Sequence, residues 1–329
     1  MSMKDCPRVS VIIPVFNGER HIAASLASVL DQTYRDYEVI VVDDGSTDGT
    51  RALVVATEGP IRCIHQPNQG PAAARNTGLA AAKGELVCFL DADDVWFAEK
   101  LAIQVEFMDR DSSVGLVFSD EAEFDDGGVL CPSLVSTSRF HSEIASRSVI
   151  DGAFRKLLEE NFIPTSTVMV RRECFQSTGL FDIGLKGPED RDMWSRLAVQ
   201  FPIAFIPRVL GRKRAVTSSV SRDVEMTLRS RIRLWTKARR LFPDLAPRRT
   251  VNALLAPTYV QLGFVLLHKG QLREARQNAL KSFTVSRDPY SWLLATTLVV
   301  FSFLGKGCAD LTFAAKRRLL QSWWSSAQS

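Results

Sequence analysis

Residues 86–94 read LVCFLDADD, a short apolar run that ends abruptly in three acidic residues. Two earlier runs behave in a similar way: Val9–Ile13 ends at Pro14, and Val39–Val42 gives way to the sequence DDGS. Runs this short, apolar on both faces and separated by helix-like stretches, predict buried parallel strands with crossover helices. Since parallel strands share a direction, their carboxyl ends lie along one edge of the sheet, where open α/β sheets bind ligands.

The first two thirds of the chain therefore predict an α/β fold, with a Rossmann-like, mostly parallel sheet flanked by helices. The segment 120–148 is rich in serine and contains two adjacent glycines, so it is predicted to be irregular. Beyond the three decisive runs, the pattern predicts strands at 61–64, 114–118, 165–170 and 203–206, and helices at 19–30, 70–82, 98–108, 152–160 and 189–199.

From Val224 onward the pattern is helical only, which predicts a domain boundary near Arg222 and two parts, residues 1–222 and 223–329. The spacing of small residues after Tyr259 resembles one tetratricopeptide-like helical hairpin. The charge-free stretch 289–305 has two interpretations, a buried tail helix or a helix lying in a membrane interface beside basic and tryptophan residues.

The formal net charge of +4 is too small to imply a nucleic acid partner, but the positive charges are concentrated between Arg208 and Arg249. Such a stretch is typical of a solvated helical face, and its alternative is a surface for phosphate-rich lipid or substrate. The six cysteines show no zinc-type spacing, no signal peptide precedes the first strand, and no segment reaches the ~20 apolar residues of a membrane-spanning helix. We therefore expect a cytoplasmic protein, with peripheral association at the inner membrane surface as the alternative.

Two carboxylates follow the third run at positions i and i+2. In extended backbone, Asp91 and Asp93 point to the same side, and together with phosphate oxygens and water they suit Mg²⁺ or Mn²⁺. Asp44, at the end of the second strand, can accept hydrogen bonds from a base or a ribose hydroxyl, although a plain Asx-turn is an equal alternative. Arg75 can pair with these acids or with phosphate, or can simply lie on the surface.

Taken together and in this order, seven stretches strongly resemble family 2 glycosyltransferases with the A-type nucleotide-sugar fold. The resemblance covers about residues 7–222, which it implies are a catalytic domain, and leaves out the helical region. The stretches are VSVIIPVFN (9–17), DDGSTD (43–48), ARNTG (74–78), FLDADD (89–94), RRE (171–173), GLFD (179–182) and PEDRDMWSRL (188–197).

The resemblance implies a role for individual residues. Pro14, Asp44 and Arg75 are expected around the nucleobase and ribose of a nucleoside diphosphate sugar. Asp91 and Asp93 fall on the metal-binding motif, with Asp93 as the more direct ligand of a Mn²⁺ or Mg²⁺ ion that bridges the two phosphates. Asp190 falls on the general base, and Glu189 beside it is expected to orient the acceptor or to favour the helix dipole.

One departure from the family concerns a loop that often carries a histidine near the metal or the diphosphate. The comparable stretch, 211–221, has no histidine. Arg212 or Arg214 is expected to neutralise the diphosphate instead.

The sequence therefore predicts an inverting, metal-dependent glycosyltransferase that acts on a glycan, lipid-linked or polysaccharide acceptor. One alternative is a sugar-1-phosphate nucleotidyltransferase, which usually needs a glycine-rich basic loop after the first strand; residues 14–18 offer one glycine and no lysine. The other is a non-catalytic scaffold that binds partners through its helical tail. Intact acids at 91, 93 and 190 argue against a loss of chemistry.

Overall fold

A computed structural model describes residues 6–215, 223–286 and 289–304 of the chain. It divides into two compact units. The first contains residues 6–184 and 189–215 of the described chain, and the second contains residues 185–188 together with 223–286 and 289–304.

The first unit is built on one mixed sheet whose central strands are apolar on both faces. In the first strand, Ile12 packs into the core on one side of the sheet, while Val11 and Ile13 pack into the core on the other side. This alternation is why the strand reads as a continuous apolar run. The strands are β1 (Val9–Val15), β2 (Tyr37–Asp43), β3 (Ile61–His65), β4 (Leu86–Phe89), β5 (Val95–Trp96), β6 (Leu116–Asp125), β7 (Gly128–Cys131), β8 (Met169–Arg171) and β9 (Ile203–Arg214).

The strand order is β3-β2-β1-β4-β8-β6-β9-β5, with β7 paired to β6. The four strands from β3 to β4 are parallel, which confirms the predicted βαβ series. β8 is antiparallel to both of its neighbours, β4 and β6, and β6 pairs with β9 in parallel. The predicted α/β fold is confirmed, and its sheet is mixed, with the parallel half carrying the acidic strand ends.

Helices cover the sheet, and one of them, α3, brings Arg75 towards the strand ends. Pro71 occupies the first turn of α3, where its missing N–H costs no helical hydrogen bond. Gly78 of α3 lies against Ile12, and a Cβ atom there would overlap the isoleucine side chain. The helices are α1 (Ile22–Leu30), α2 (Thr50–Ala56), α3 (Pro71–Ala81), α4 (Lys100–Arg110), α5 (His141–Ala145), α6 (Ala153–Glu159), α7 (Cys174–Thr178) and α8 (Glu189–Gln200).

Three predictions about local structure were wrong in their extent. The segment predicted as a strand at 165–170 begins with a 3-10 turn, Thr165–Thr167, and only then enters β8. The short strand predicted at 203–206 continues to Arg214; its register with β6 shifts beside Pro207, which has no N–H to donate to a ladder. The region 120–148, predicted as irregular, contains the end of β6 and all of β7. Charged residues in the end of β6 and in the second half of β9 explain why a prediction based on apolar runs did not extend these two strands.

The second unit is helical, with α9 (Val224–Leu241), α10 (Arg248–His268), α11 (Leu272–Val285) and α12 (Pro289–Leu304). Its core is apolar and includes Leu228, Val260, Leu266, Ala279 and Leu298. A short turn containing Gly270 at φ +78° joins α10 to α11, a geometry that favours glycine. The tetratricopeptide-like hairpin stays a prediction, and so do the domain limits 1–222 and 223–329.

We expected no segment with enough apolar residues to span a membrane. Helix α10 is nevertheless long and apolar enough to do so, judged by length and composition only. Its most apolar window has a mean hydropathy of 1.5, and 50% of that window is buried in the protein. A core helix of a soluble protein passes the same test. The basic and tryptophan residues proposed to flank a membrane-interface helix, from Lys306 to Trp324, lie outside the described residues.

Candidate functional site

The acids that follow β2 and β4 lie at the carboxyl edge of the parallel strands, as predicted. Asp91 and Asp93 follow β4 and are both part-exposed, whereas Asp94 is buried. Burial, together with the neighbouring Asp91 carboxylate, raises the pKa of Asp93 above its usual value. Two carboxylates held this close favour a positively charged partner.

Arg75 is a cation at the centre of this group. Its guanidinium is buried and donates to Asp91 Oδ1 at 2.8 Å and to Glu189 Oε1 at 3.0 Å. These two carboxylates raise the pKa of Arg75 against the lowering effect of burial, so the side chain is always charged. The Arg75 guanidinium carbon also lies 5.7 Å from the centre of the Phe181 ring. One side chain thus connects the acids after β4 with the start of α8.

Asp190, the second residue of α8, is the part-exposed carboxylate beside that contact. Asn161 Nδ2 donates to Asp190 Oδ2 at 3.0 Å, and Thr165 Oγ1 donates to the same oxygen at 3.3 Å. Burial and the neighbouring Glu189 carboxylate together raise the pKa of Asp190 to about 6, against the opposing effect of Arg75. A part-exposed carboxylate with this pKa can take a proton from a hydroxyl near neutral pH.

Asp44 is placed at the same edge but is almost fully buried. Its Oδ1 accepts from Gln66 Nε2 at 2.7 Å and from the Gln69 N–H at 3.0 Å, while Oδ2 accepts from the Gly70 N–H at 2.7 Å. The carboxylate therefore holds the loop that leads into α3. Pro14, the other residue expected at the nucleobase, is buried within β1. A nucleobase role for these two residues stays a prediction.

Beside the strand-end acids lies a buried carboxylate that the sequence reading missed. Burial raises the pKa of Glu121 to about 8, opposed by the nearby Lys213 ammonium. Burial lowers the pKa of Lys213, but the neighbouring acids Glu121, Asp94 and Asp91 outweigh this effect and raise the pKa above its ordinary value. Lys213 is thus the basic residue of this strand that faces the acids.

The two arginines on either side of Lys213 make other contacts. Arg212 packs against the Phe97 ring at 5.2 Å, and Arg214 packs against the Phe124 ring at 4.4 Å. Arg214 also pairs with Asp126 at 3.0 Å. Because side chains alternate along a strand, residues 212 and 214 point away from the face that carries residue 213. Their assignment to a diphosphate or acceptor stays a prediction, and Lys213 is the better-placed cation.

A divalent cation fits the donor set at this edge. Asp91 and Asp93 supply hard oxygen ligands, and two neighbouring carboxylates at one edge favour a positively charged ion between them. No group of three or more His, Cys, Asp or Glu residues in the described part of the chain is arranged to hold a metal by itself. Further ligands would therefore have to come from water and from phosphate oxygens of a bound substrate, as expected for Mg²⁺ or Mn²⁺.

Three comparisons with known proteins agree on the kind of protein. The sequence model of glycosyl transferase family 2 matches residues 10–177. An uncharacterised glycosyltransferase of Rickettsia felis is 33% identical over 211 residues, which are 63% of this chain and 33% of that protein. This chain therefore spans about a third of the length of that relative.

A second relative and a solved structure give more detailed names. The UDP-Glc:alpha-D-GlcNAc-diphosphoundecaprenol beta-1,3-glucosyltransferase of Escherichia coli is 44% identical over 102 residues, 30% of this chain and 40% of that protein. A mannosyltransferase of Pyrobaculum calidifontis, solved with GDP-Man and Mn²⁺, superposes with a TM-score of 0.59 at 22% identity. That match covers 94% of this chain and 87% of that one, and shows a shared fold.

Proposed function

The chain belongs to glycosyl transferase family 2, and we propose that it is an inverting, metal-dependent enzyme that transfers a sugar from a nucleoside diphosphate to an acceptor hydroxyl. The observation that carries this proposal is the placement of Asp190, a part-exposed carboxylate at the start of α8 whose Oδ2 accepts from Asn161 and Thr165. Arg75 contacts both Glu189, the residue before Asp190, and Asp91, at the strand end where the diphosphate is expected.

Each residue has a separate task in the proposed reaction. Asp190 accepts the proton of the acceptor hydroxyl as the oxygen attacks the anomeric carbon, because a hydroxyl is a poor nucleophile until a base removes its proton. Asp91 and Asp93 would hold a divalent ion, Mn²⁺ or Mg²⁺, which when bound would act as a Lewis acid and stabilise the negative charge on the departing nucleoside diphosphate. Arg75 keeps Asp91 and Glu189 in place, and Lys213 adds positive charge beside the acids.

The proposed inversion of configuration follows from a single displacement in which one base, Asp190, activates the acceptor hydroxyl. Direct attack by the activated hydroxyl displaces the nucleoside diphosphate from the opposite side of the anomeric carbon and inverts its configuration. We propose a glycan or lipid-linked acceptor because the E. coli relative is named for an acceptor carrying diphosphoundecaprenol. An acceptor of that kind is presented at a membrane surface, which supports a cytoplasmic enzyme that associates peripherally with the membrane and contributes to polysaccharide synthesis.

Removal of the divalent ion tests the proposal directly. Chelation with EDTA should abolish transfer, and added Mn²⁺ or Mg²⁺ should restore it. Asp93→Asn should lower kcat by about 10²–10³-fold, since the loss of several kcal/mol of charge stabilisation has this effect on a rate. Asp36, an exposed acid at the opposite end of β2, provides the matched control, and Asp36→Asn should retain full activity. Undiminished transfer in EDTA, or in Asp93→Asn, would contradict metal dependence.

The pKa of Asp190 predicts the pH dependence of the reaction. A general base works only when it is ionised, so kcat/KM should rise with pH, reach half its maximum near pH 6 and level off above. The raised pKa means that the folded enzyme holds this proton more tightly than the unfolded chain, between the ordinary value of 3.8 and about 6. Stability from this group is therefore present at low pH and is lost as pH rises through that window. A rate that is flat from pH 5 to pH 8 would contradict the assignment of the base.

A further inference from the structure

One short, buried turn contacts both halves of the proposed site. It is the 3-10 turn Thr165–Thr167, which leads into β8. Thr165 Oγ1 donates to Asp190 Oδ2 at 3.3 Å, whereas the next residue, Ser166, contacts the acidic residues that follow β4. The proposed base and the proposed metal ligands therefore share one structural neighbour.

Ser166 contacts both ends of the acidic turn, residues 91–94, which carries the proposed metal ligands. This turn is closed by the Asp94 N–H, which donates to the Asp91 carbonyl at 3.0 Å. The Ser166 hydroxyl accepts from the Asp91 N–H at 3.1 Å and donates to Asp94 Oδ2 at 2.5 Å. A hydroxyl has one proton and two lone pairs, so it can make both bonds at once. Because Asp93 lies inside the acidic turn, Ser166 fixes the backbone on either side of it.

The 3-10 turn is itself anchored by two side chains of the core. Trp96 Nε1 of β5 donates to the Ser166 carbonyl at 2.7 Å, and Gln104 Nε2 of α4 donates to the Thr167 carbonyl at 2.7 Å. Both anchors contact the fully buried Lys100, whose ammonium donates to Gln104 Oε1 at 2.6 Å and lies 4.0 Å from the centre of the Trp96 ring. Side chains locked by packing and hydrogen bonds give the 3-10 turn a rigid support.

We propose that the 3-10 turn is a positioning element for the transfer reaction. Ser166 holds the acidic turn in the conformation that binds the divalent ion, and Thr165 holds Asp190 in the orientation that meets the acceptor. Neither residue touches substrate in this proposal. The inference rests on the proposed metal-dependent transfer and adds the residues that fix its two halves relative to each other.

Ser166→Ala tests the metal half of the proposal against a serine that makes the same pair of hydrogen bonds elsewhere. Ser10 is buried at the amino end of β1, at the opposite edge of the sheet. Its hydroxyl accepts from the Gly84 N–H at 2.8 Å and donates to Glu38 Oε1 at 2.7 Å. Ser10→Ala is therefore a matched control, and both variants should lose a similar few degrees of unfolding temperature.

Binding of Mn²⁺ to the metal-free, full-length proteins is measured by electron paramagnetic resonance, which needs neither substrate nor turnover. Loss of a contact that orients a metal ligand typically weakens metal binding by about 10–100-fold. Ser166→Cys, which keeps a weaker donor at the same place, should show an intermediate loss and replaces Ser166→Ala if the alanine variant does not fold.

Thr165→Val tests the base half with the adjacent residue. The substitution keeps the shape of the side chain but removes the hydroxyl that donates to Asp190. Because this hydrogen bond favours the ionised carboxylate, its loss should raise the pKa of Asp190 and move the rising limb of kcat/KM to higher pH by roughly half a unit to one unit. Glu189 and Arg75, the charged groups that act on Asp190, are unchanged in this variant.

The proposal expects opposite profiles in these two neighbours. Ser166→Ala should lose about 10–100-fold in Mn²⁺ affinity, whereas Ser10→Ala and Thr165→Val should bind Mn²⁺ like the wild type. Equal losses in both serine variants would overturn the metal half, because they would report a general loss of structure. Wild-type affinity in Ser166→Ala would also overturn it, and would leave the acidic turn to Ser25, which donates to the Asp94 carbonyl at 2.6 Å. An unshifted pH profile in Thr165→Val would overturn the base half.

Asp93→Asn separates a failure of this proposal from a failure of the proposed function. If Asp93→Asn loses Mn²⁺ binding while Ser166→Ala keeps it, metal-dependent transfer stands and the positioning role of Ser166 is wrong. If the wild type and Asp93→Asn bind Mn²⁺ equally, or the wild type binds none, the metal site at the acidic turn is wrong and the positioning role is wrong with it.

Discussion

Replacement of Asp190 by asparagine should lower kcat by about 10²–10⁴-fold, the usual contribution of a general base. The substitution keeps the shape of the side chain and its place beside Asn161 and Thr165, but it removes the group that takes the proton. Because the folded protein holds Asp190 with a raised pKa, its ionised form is disfavoured by burial and by Glu189. Asp190→Asn should therefore be at least as stable as the wild type at neutral pH.

The decisive comparison is with Asp192, which lies on the same turn of α8. Asp192 is buried and pairs with Arg196 at 2.9 Å, so its role is structural. Asp192→Asn should lower the unfolding temperature and leave the turnover of the folded molecules close to wild type, the opposite profile to Asp190→Asn. Steady-state kinetics and thermal unfolding measured on both variants separate the two roles. If Asp190→Asn retained most of its activity, another residue would have to act as the base.

The part of this site that depends on strand direction, the acids at the strand ends, could be predicted from the sequence. Asp91 and Asp93 had to lie at the same sheet edge as the end of β2, because β2 and β4 are both parallel to β1, which lies between them. Asp190 was identified only by resemblance, since its position at the start of a helix is typical of many acids that favour the helix dipole. The sheet edge was thus predicted from physical rules, while the base required knowledge of a family.

The supporting residues could not be predicted in this way. Asn161 and Thr165 contact Asp190 from 29 and 25 residues away along the chain. Ser166 donates to the buried Asp94 carboxylate, which also accepts from the Arg214 N–H at 2.9 Å, across 120 residues. No local periodicity encodes such contacts, because they depend on how separate segments pack. Lys213 was missed for a different reason: its strand is rich in charge and was predicted to end seven residues before it.

Replacement of Arg75 by methionine should have the largest effect on stability among the site residues. The change leaves Glu189, which is 5% exposed, without the guanidinium that it contacts at 3.0 Å. Removing one partner of a buried ion pair costs about 3–5 kcal/mol, since the remaining charge loses that counter-ion in the interior. The partial exposure of Asp91 reduces its own share of this cost. Thermal unfolding should report a decrease of roughly 10 °C for a domain of this size.

Activity in Arg75→Met should also fall, and the pH profile should show why. Arg75 opposes the effect of Glu189 on the pKa of Asp190, so its loss should raise that pKa and move the rising limb of kcat/KM to higher pH. Arg75→Lys keeps the charge but lacks the planar fork that contacts Asp91 and Glu189 together, and it should recover only part of the stability.

The double variant Arg75→Met/Glu189→Gln separates the buried charge from the loss of packing. Removing the Glu189 carboxylate as well should restore part of the lost stability, so the two single costs should not add. Simple additivity would show that Arg75 and Glu189 do not interact in solution. In that case the connection between the acids after β4 and the base on α8 would have no energetic basis, whatever the activity of Asp190→Asn.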